Sequence, residues 1–544
     1  MKKLSFLTLC ASALLMGLSA CTGNQNNNAA TNEADEQQVF IGDDIAIAQT
    51  QYGKVQGFMS RDVYTFLGVR YGASTEGANR FMPPQEPEPW NDIKPAMVYG
   101  YCAPQNEPNY ANNPGVWRDH WNYSNLSEDC LFVNVWTKGL NDGKKRPVMV
   151  WFHGGGYAAG NGIEQDGYHG ENLARYGDIV FVSVNHRLNA FGFSDFSGVN
   201  AKYEDSGNAG TLDMVAALKW VNKNIENFGG DPNNVTIMGQ SGGGAKVCTL
   251  VAMPETKGLV HKAVALSGNS NNALSQNYSR ELGKFIVKYS KKTVEQLQQM
   301  PWKEYLAMAN AAVQEFNKTQ NQGGGMMRGG FQPVADGKHI PAAGYFDDLN
   351  APSSQVPMIY CSTMAEFSPA QANPELENLD AEGLGKYLDQ RYPGKGAAVA
   401  AAYQKAFPQA NAGDIIGMAT SPRTGIVNNV SLKAKQGAPV YLAWFGFNPP
   451  TFGGRARAFH CIDICFWYRN TDRMVTHSGG GKRPRDLSNK MSDALLSFMR
   501  TGNPNCGALP EWPAFNDTDK PTMILNDVCE VRNNPDGEAL AAMQ

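Results

Sequence analysis

The fold is decided by the stretch Val235-Thr236-Ile237-Met238-Gly239-Gln240-Ser241-Gly242-Gly243. Four residues typical of a buried strand run directly into a glycine-rich turn with a serine at its centre, and residues 245–253 can continue as a helix. Such a G-x-S-x-G turn between a strand and a helix is a nucleophile elbow, which holds the serine hydroxyl out above the edge of a sheet. The stretch therefore predicts a nucleophile at Ser241.

Short apolar runs on both sides of the elbow indicate further strands. The runs cover residues 146–152, 179–184, 263–266, 356–361 and 440–444. Residues 211–228 instead place their apolar side chains on one broad helical face, and the glycines and proline of residues 229–232 bring that helix to an end. Residues 45–58 alternate apolar and polar side chains, as in an antiparallel hairpin. Strands that alternate with helices predict an α/β fold, with a mostly parallel sheet covered by helices on both faces.

Composition and charge exclude several classes of protein. Of the 544 residues, 42% are hydrophobic and only 18% are charged, which excludes a disordered chain and a coiled coil. Lys and Arg number 47 against 51 Asp and Glu, a net charge of -4, so no basic surface for nucleic acid is expected. No repeat or strong linker divides the chain after the first 38 residues. Residues 39–544 are therefore predicted to form a single domain.

The first 38 residues are predicted to direct and tether the protein. Met1-Lys2-Lys3 is followed by a short apolar run, the layout of a secretory signal. Leu18-Ser19-Ala20-Cys21 resembles a bacterial lipobox, in which the chain is cut before a cysteine that then carries lipid. Residues 1–20 are thus a predicted lipoprotein signal peptide, Cys21 is the lipidation site, and residues 21–38 are a flexible tether. The protein would be exported and anchored in the bacterial envelope, touching a membrane only through its lipid; an ordinary signal with a chance cysteine is the alternative.

Eight cysteines remain once Cys10 and Cys21 are set aside. They are Cys102, Cys130, Cys248, Cys361, Cys461, Cys465, Cys506 and Cys529. An even number in an oxidising compartment permits disulfides, and the sequence leaves their pairing open. Cys461 and Cys465 have no second pair at the spacing of zinc ligands, so no metal site is predicted.

A serine hydroxyl needs a base within hydrogen-bond reach and an acid that orients the base. In a fold built on a nucleophile elbow the chain order is serine, then Asp or Glu, then histidine. The histidines after Ser241 are His261, His339, His460 and His477. His261 follows too soon, His339 leaves little room for an acid, and His477 lies in a glycine-rich loop. His460, which comes after the last of the apolar runs, is therefore the predicted base.

The acid is expected after a strand that lies between the serine and the histidine. Residues 356–361 form such a run, and Glu366 follows it. Asp347 and Asp348 precede the run and fit the order less well. Glu366 is therefore the predicted acid.

A second glycine-rich segment supplies donors for an oxyanion. His153-Gly154-Gly155-Gly156 follows an apolar run, and glycines let backbone N–H groups face a substrate without an intervening side chain. A phosphate-binding turn is the alternative, but the segment lacks the Lys-Ser/Thr pair of a P-loop and the spacing of a dinucleotide motif. The backbone N–H groups of Gly155, Gly156 and Gly242 are the predicted oxyanion hole.

Further segments extend the pattern over most of the chain. They are residues 127–136 (SEDCLFVNVW), 207–221, 224–232 and 498–513. Together with the elbow they resemble the type-B carboxylesterase family, which includes the cholinesterases. The resemblance implies an α/β-hydrolase fold, with Ser241, Glu366 and His460 at the positions of a catalytic triad. It also implies a disulfide between Cys102 and Cys130, closing a loop beside a substrate gorge.

Two departures from the family pattern concern the site. The usual Glu-Ser-Ala-Gly of the elbow is Gln240-Ser241-Gly242-Gly243 here, which removes a carboxylate beside the nucleophile. Thr363-Met364-Ala365-Glu366-Phe367 replaces the glycine-bearing run that usually precedes the acid.

Residues at the expected gorge bear on the substrate. Trp121 lies near the position of the choline-binding tryptophan of the cholinesterases, with a spacing that differs by one residue, and Trp117 and Gln240 are further candidates for the gorge wall. An indole face can hold a quaternary ammonium by cation–π attraction. Because the carboxylate beside the nucleophile is missing, an aromatic wall for neutral esters is the preferred interpretation.

The resemblance implies a serine carboxylesterase that hydrolyses small-molecule carboxylic esters through an acyl-enzyme and needs no cofactor. Three alternatives stay open: a non-catalytic surface-binding protein on the same fold, an esterase specialised for choline-type esters, and a peptidase.

Overall fold

A computed structural model describes residues 39–106, 125–319 and 329–544 of the chain. All of these residues belong to the unit Val39–Gln544. The strands within the described ranges are β1 (Val39–Phe40), β2 (Ile47–Thr50), β3 (Gly53–Gln56), β4 (Phe58–Ser60), β5 (Val63–Arg70), β6 (Lys94–Pro95), β7 (Phe132–Thr137), β8 (Arg146–Phe152), β9 (Val180–Val184), β10 (Gly230–Gln240), β11 (Lys262–Leu266), β12 (Leu274–Ser275), β13 (Val334–Ala335), β14 (Met358–Thr363), β15 (Val440–Phe445), β16 (Pro521–Leu525) and β17 (Glu530–Asn533).

Twelve of these strands form one central sheet in the order β1-β4-β5-β7-β9-β8-β10-β11-β14-β15-β16-β17. From β9 to β16 in this order every pair of neighbours is parallel. The strands at the two ends of the sheet pair antiparallel. The predicted mostly parallel α/β fold is therefore confirmed.

The α-helices of the described ranges connect and cover these strands. They are α1 (Glu171–Gly177), α2 (Asn189–Phe193), α3 (Ala209–Asn224), α4 (Gly242–Ala252), α5 (Gln276–Ser290), α6 (Val294–Gln298), α7 (Trp302–Thr319), α8 (Ala381–Asp389), α9 (Gly396–Ala406), α10 (Ala412–Thr420), α11 (Arg423–Ala434), α12 (Ile462–Trp467), α13 (Val475–Ser478), α14 (Lys482–Thr501) and α15 (Gly537–Met543).

Side chains of the parallel strands alternate between two apolar layers. Val148 and Val150 of β8 belong to one core cluster, and Met149 and Trp151 belong to another. Successive residues of a strand point to opposite faces, so the two clusters cover the two faces of the sheet. Because both faces are buried, the strand is a continuous apolar run in the sequence, which is why it could be predicted.

The structure differs from the sequence prediction on either side of Ser241. The predicted strand at residues 235–238 is part of the longer β10, which begins at Gly230. The strand starts earlier because Gly230 already pairs with β8, and the register of this pairing shifts between Gly230 and Val235. The predicted helix at residues 245–253 begins earlier, at Gly242. The elbow thus passes from strand to helix with a single residue between them.

The implied disulfide between Cys102 and Cys130 is wrong in this structure, which holds both as free, buried thiols. The two thiols lie in different surroundings. Burial raises the pKa of Cys102 to about 12, with the charge of Glu164 adding to the effect. Burial also raises the pKa of Cys130, with Asp213 adding to it and Arg187 opposing. Each thiol is therefore a protonated group with its own neighbours.

Three predicted residues lie outside the described part of the chain. They are Cys21, Trp117 and Trp121. The predicted division into residues 1–20, 21–38 and 39–544 stays a prediction, as does lipid attachment. Within the ranges that the structure describes, no helix combines the length and the apolar character that a membrane crossing requires.

Candidate active site

Ser241 lies between the end of β10 and the start of α4 in a strained backbone conformation. Its φ is 57° and its ψ is -124°, a combination that residues other than glycine rarely adopt. The Ser241 N–H donates to the carbonyl of Leu266 at 2.8 Å, and the Ser241 carbonyl accepts from Ala245 N–H at 3.1 Å. These two bonds tie the turn to β11 and to the first turn of α4. The strain is thus held in place by the elements on both sides.

The elbow and the loop that contains Gly155 and Gly156, here called the glycine loop, lie too close together for side chains at their contact. A Cβ on Gly242 would lie 2.3 Å from the Cα of Gly156, far inside van der Waals contact. Gly155 and Gly156 themselves have φ values of 81° and 64°, which favour glycine. The close approach brings the three predicted oxyanion donors into one small region beside Ser241.

Glu366 and His460 form a short hydrogen bond. Glu366 Oε2 lies 2.5 Å from His460 Nδ1, and Glu366 Oε1 accepts the N–H of Thr363 at 3.0 Å. The backbone N–H of His460 also donates to the carbonyl of Glu366 at 2.9 Å. Because Thr363 ends β14, the acid is fixed to the sheet through its own side chain.

Opposing effects act on the His460 imidazole. Burial favours the neutral ring, but the neighbouring Cys461 sulfur and the Glu366 carboxylate outweigh it, and the pKa of His460 lies well above its ordinary value. The ring therefore holds a proton strongly. It becomes a free base only as the pH rises.

Gln240 packs against the same ring. Its Nε2 lies 3.3 Å from Nε2 and 3.4 Å from Nδ1 of His460, and its Oε1 accepts a hydrogen bond from the Cys461 thiol at 3.2 Å. Among the described residues the structure records no hydrogen bond between the Ser241 hydroxyl and His460. Catalytic hydrogen bonds are often long or poorly aligned before substrate binds, so this arrangement leaves the pair usable.

Phe367 forms an aromatic wall next to His460 that the sequence analysis did not assign. The two ring centroids are 4.9 Å apart, and Phe367 is 47% exposed although it is apolar. Its position directly after Glu366 was the only signal in the sequence. An exposed aromatic ring beside the candidate triad is suited to contact an apolar part of a small molecule.

Asp463 is a second residue that sequence reasoning missed. It lies in the first turn of α12, and its side chain is wholly buried. Burial raises the pKa of Asp463 to about 7, with the charge of Glu366 adding to the effect and His460 opposing it. This carboxyl therefore titrates near neutral pH within the same charged group as Glu366 and His460.

The raised pKa of Asp463 predicts a pH-dependent cost to stability. The unfolded chain releases this proton above its ordinary value, near 3.8, whereas the folded chain keeps it until about pH 7. Asp463 therefore lowers the free energy of unfolding progressively as the pH rises between these values, by about 4 kcal/mol in all. Asp463→Asn cannot titrate, so it should gain stability relative to wild type as the pH rises.

Urea unfolding of both proteins at about pH 5 and about pH 8 checks this expectation. The difference in free energy of unfolding, variant minus wild type, should become more positive at the higher pH. A difference that is the same at both values would contradict a buried carboxyl with a raised pKa.

Comparison with known proteins finds one family whose model spans most of the chain. The model of the Carboxylesterase family matches residues 44–543. The chain belongs to the carboxylesterase family. It is 31% identical over 514 residues to the para-nitrobenzyl esterase of Bacillus subtilis, covering 90% of this chain and 97% of that protein. It is 30% identical over 503 residues to the phenmedipham hydrolase of Pseudarthrobacter oxydans, covering 88% and 95%.

Solved structures of esterases share the fold of this carboxylesterase. An esterase from Clostridium hathewayi, described as able to hydrolyse aliphatic aromatic polyesters, superposes with a TM-score of 0.80 at 32% identity, covering 93% of this chain and 99% of that one. A para-nitrobenzyl esterase structure gives a TM-score of 0.74 at 29% identity, covering 92% and 99%. The protein is therefore an α/β-hydrolase and a carboxylic ester hydrolase of type B.

Proposed function

We propose that the protein hydrolyses carboxylic esters by a serine mechanism through an acyl-enzyme intermediate. The observation that carries this proposal is the 2.5 Å hydrogen bond between Glu366 and His460, beside an elbow that presents Ser241. A serine is a weak nucleophile until an oriented base accepts its proton, and these three residue types are the ones that supply that chemistry.

The proposed reaction has two halves. Ser241 Oγ attacks the ester carbonyl while His460 Nε2 takes its proton, and Glu366 stabilises the resulting imidazolium through Nδ1. His460 then protonates the departing alcohol. Water enters and attacks the acyl carbonyl while the same imidazole takes its proton. The imidazolium then returns that proton to Ser241 Oγ as the bond to the acyl group breaks, which releases the acid and restores the starting state. The negative oxygen formed in each half accepts hydrogen bonds from the backbone N–H groups of Gly155, Gly156 and Gly242.

We propose neutral esters with an apolar or aromatic group as the substrate class. Gln240 places an uncharged amide beside the nucleophile, where an acid would attract a cationic alcohol. The exposed ring of Phe367 offers apolar surface next to His460. The para-nitrobenzyl esterase and the polyester-hydrolysing esterase that resemble this chain are consistent with esters of this kind.

Hydrolysis of p-nitrophenyl acetate, butyrate and octanoate, beside acetylthiocholine, tests the proposal. We expect turnover of the neutral esters with a clear preference among the three acyl lengths, and a much lower kcat/KM for the choline ester. Rates no higher than those of a Ser241→Ala control across all substrates would remove the serine esterase proposal. A preference for acetylthiocholine would overturn the neutral substrate class alone.

A further inference from the structure

A buried lysine follows the elbow. Lys246 lies in α4 with no exposed surface, and its ammonium donates a hydrogen bond to the carbonyl oxygen of His153 at 2.9 Å. His153 opens the glycine loop that contains Gly155 and Gly156. Burial of an ammonium is unfavourable unless polar partners compensate it, so this contact needs an explanation beyond packing.

A second contact from the same helix holds the other end of the loop. Thr249 lies three residues after Lys246, which places both side chains on one face of α4. Thr249 Oγ1 lies 3.4 Å from the hydroxyl of Tyr157, the residue that follows the glycines. The Lys246 ammonium also lies 5.9 Å from the centre of the Tyr157 ring. The helix that begins at the nucleophile thus contacts the loop on both sides of its glycines.

We propose that Lys246 is a positioning residue for the oxyanion hole. Its ammonium fixes the His153 end of the loop, so that the N–H groups of Gly155 and Gly156 stay directed at the space beside Ser241. It also adds positive charge behind the loop, which favours the negative oxygen of the transition state. This inference rests on the proposed serine mechanism.

Lys246 is the positively charged group of this cluster, because the histidines and the tyrosine around it are neutral. His153 and His186 are stacked with ring centroids 5.0 Å apart, and burial together with the nearby Lys246 charge lowers the pKa of both well below the ordinary value. Burial raises the pKa of Tyr157, which therefore stays neutral. Glu164, itself buried, is an acidic neighbour whose charge acts on Lys246.

Lys246 changes charge near neutral pH. Burial lowers its pKa to about 7, and Glu164 partly opposes this. The ammonium is present below that value and is lost as the pH rises through it. The advantage of wild type over an uncharged variant should therefore shrink with rising pH, even though the base His460 becomes more available.

Lys246→Met tests the inference, with Lys433→Met as the matched control. Lys433 of α11 is equally buried, and its ammonium has no hydrogen-bond partner among the described residues. We expect Lys246→Met to lower kcat roughly 10- to 100-fold with KM little changed, because a misplaced oxyanion hole costs about this much. Lys433→Met should keep the wild-type kcat. The deficit of Lys246→Met should be smaller at about pH 9 than at about pH 6.

Inhibitor binding separates positioning from a merely structural role. A trifluoromethyl ketone forms an oxyanion when Ser241 adds to it, so its affinity should weaken in Lys246→Met by the same factor as kcat/KM. An amide analogue of the substrate should bind as well as it does to wild type. Lys246→Gln keeps a hydrogen-bond donor without the charge, so its loss of kcat/KM and of ketone affinity should be smaller than that of Lys246→Met. If the methionine variant does not fold, the glutamine variant provides the same measurements.

Two outcomes would overturn the inference. One is a folded Lys246→Met protein with wild-type kcat and ketone affinity, and the other is equal weakening of the ketone and the amide. If either result is found while hydrolysis by the wild-type protein still requires Ser241, the proposed function stands. Loss of the proposed function would appear instead as hydrolysis that is insensitive to Ser241→Ala.

Discussion

Replacement of Ser241 by alanine is expected to lower kcat for p-nitrophenyl butyrate roughly 10⁶-fold, to the level that binding and the oxyanion hole alone sustain. The reason is that no other group takes over the attack once the hydroxyl is gone. The variant should fold normally, because the elbow is fixed by backbone bonds to Leu266 and Ala245 rather than by the serine side chain. Initial rates together with thermal unfolding check both parts.

Ser267→Ala is the matched control for this variant. Ser267 also has a positive φ, 46°, and follows the end of β11, the neighbour of β10 in the sheet. Its loss should leave kcat close to wild type. Comparable loss of activity in the two variants, or a Ser241→Ala protein with substantial turnover, would contradict the assignment of Ser241 as nucleophile.

Glu366→Gln is expected to lower kcat by about 10⁴-fold while the protein stays folded. The amide nitrogen of glutamine donates where the carboxylate accepted, so the His460 Nδ1–H loses its partner and the ring favours the wrong tautomer. The bond from Thr363 N–H to the remaining oxygen can persist, because that oxygen still accepts. Steady-state kinetics across a range of pH, compared with wild type, measure the effect.

Asp348→Asn provides the comparison for Glu366→Gln. Asp348 is exposed, and its side chain accepts only the N–H of Asn350 within the described contacts. It was an alternative acid by chain order, so its replacement should leave kcat unchanged. A large loss of kcat in Asp348→Asn, together with an active Glu366→Gln protein, would assign the role of the acid to Asp348 instead of Glu366.

The parts of the site that could be read from the sequence are those set by local pattern and chain order. The elbow at Ser241 is a contiguous strand, turn and helix, and a short apolar run gave β8 its bounds because both faces of the sheet are buried. Glu366 and His460 are predicted by their places after strands, and the structure brings them into hydrogen-bond contact.

The remaining features depend on contacts between distant segments. Lys246 meets His153 across 93 residues of chain, and Gln240 meets His460 across 220. Nothing in the local sequence indicates that a lysine in α4 turns inward, or that Asp463 is buried beside Glu366. The disulfide failed as a prediction for the same reason, since a family pattern does not fix whether the thiols of Cys102 and Cys130 meet.

Trapping the covalent intermediate would show which residue of the protein attacks the ester. Wild-type protein would be mixed with excess p-nitrophenyl butyrate, quenched in acid within the first turnover, digested and analysed by mass spectrometry. A serine mechanism predicts a butyryl group on the peptide that contains Ser241, together with a burst of one p-nitrophenol for each enzyme molecule. Acylation of a different residue, or ester hydrolysis by wild type with no burst and no acylated peptide, would contradict a serine mechanism at Ser241.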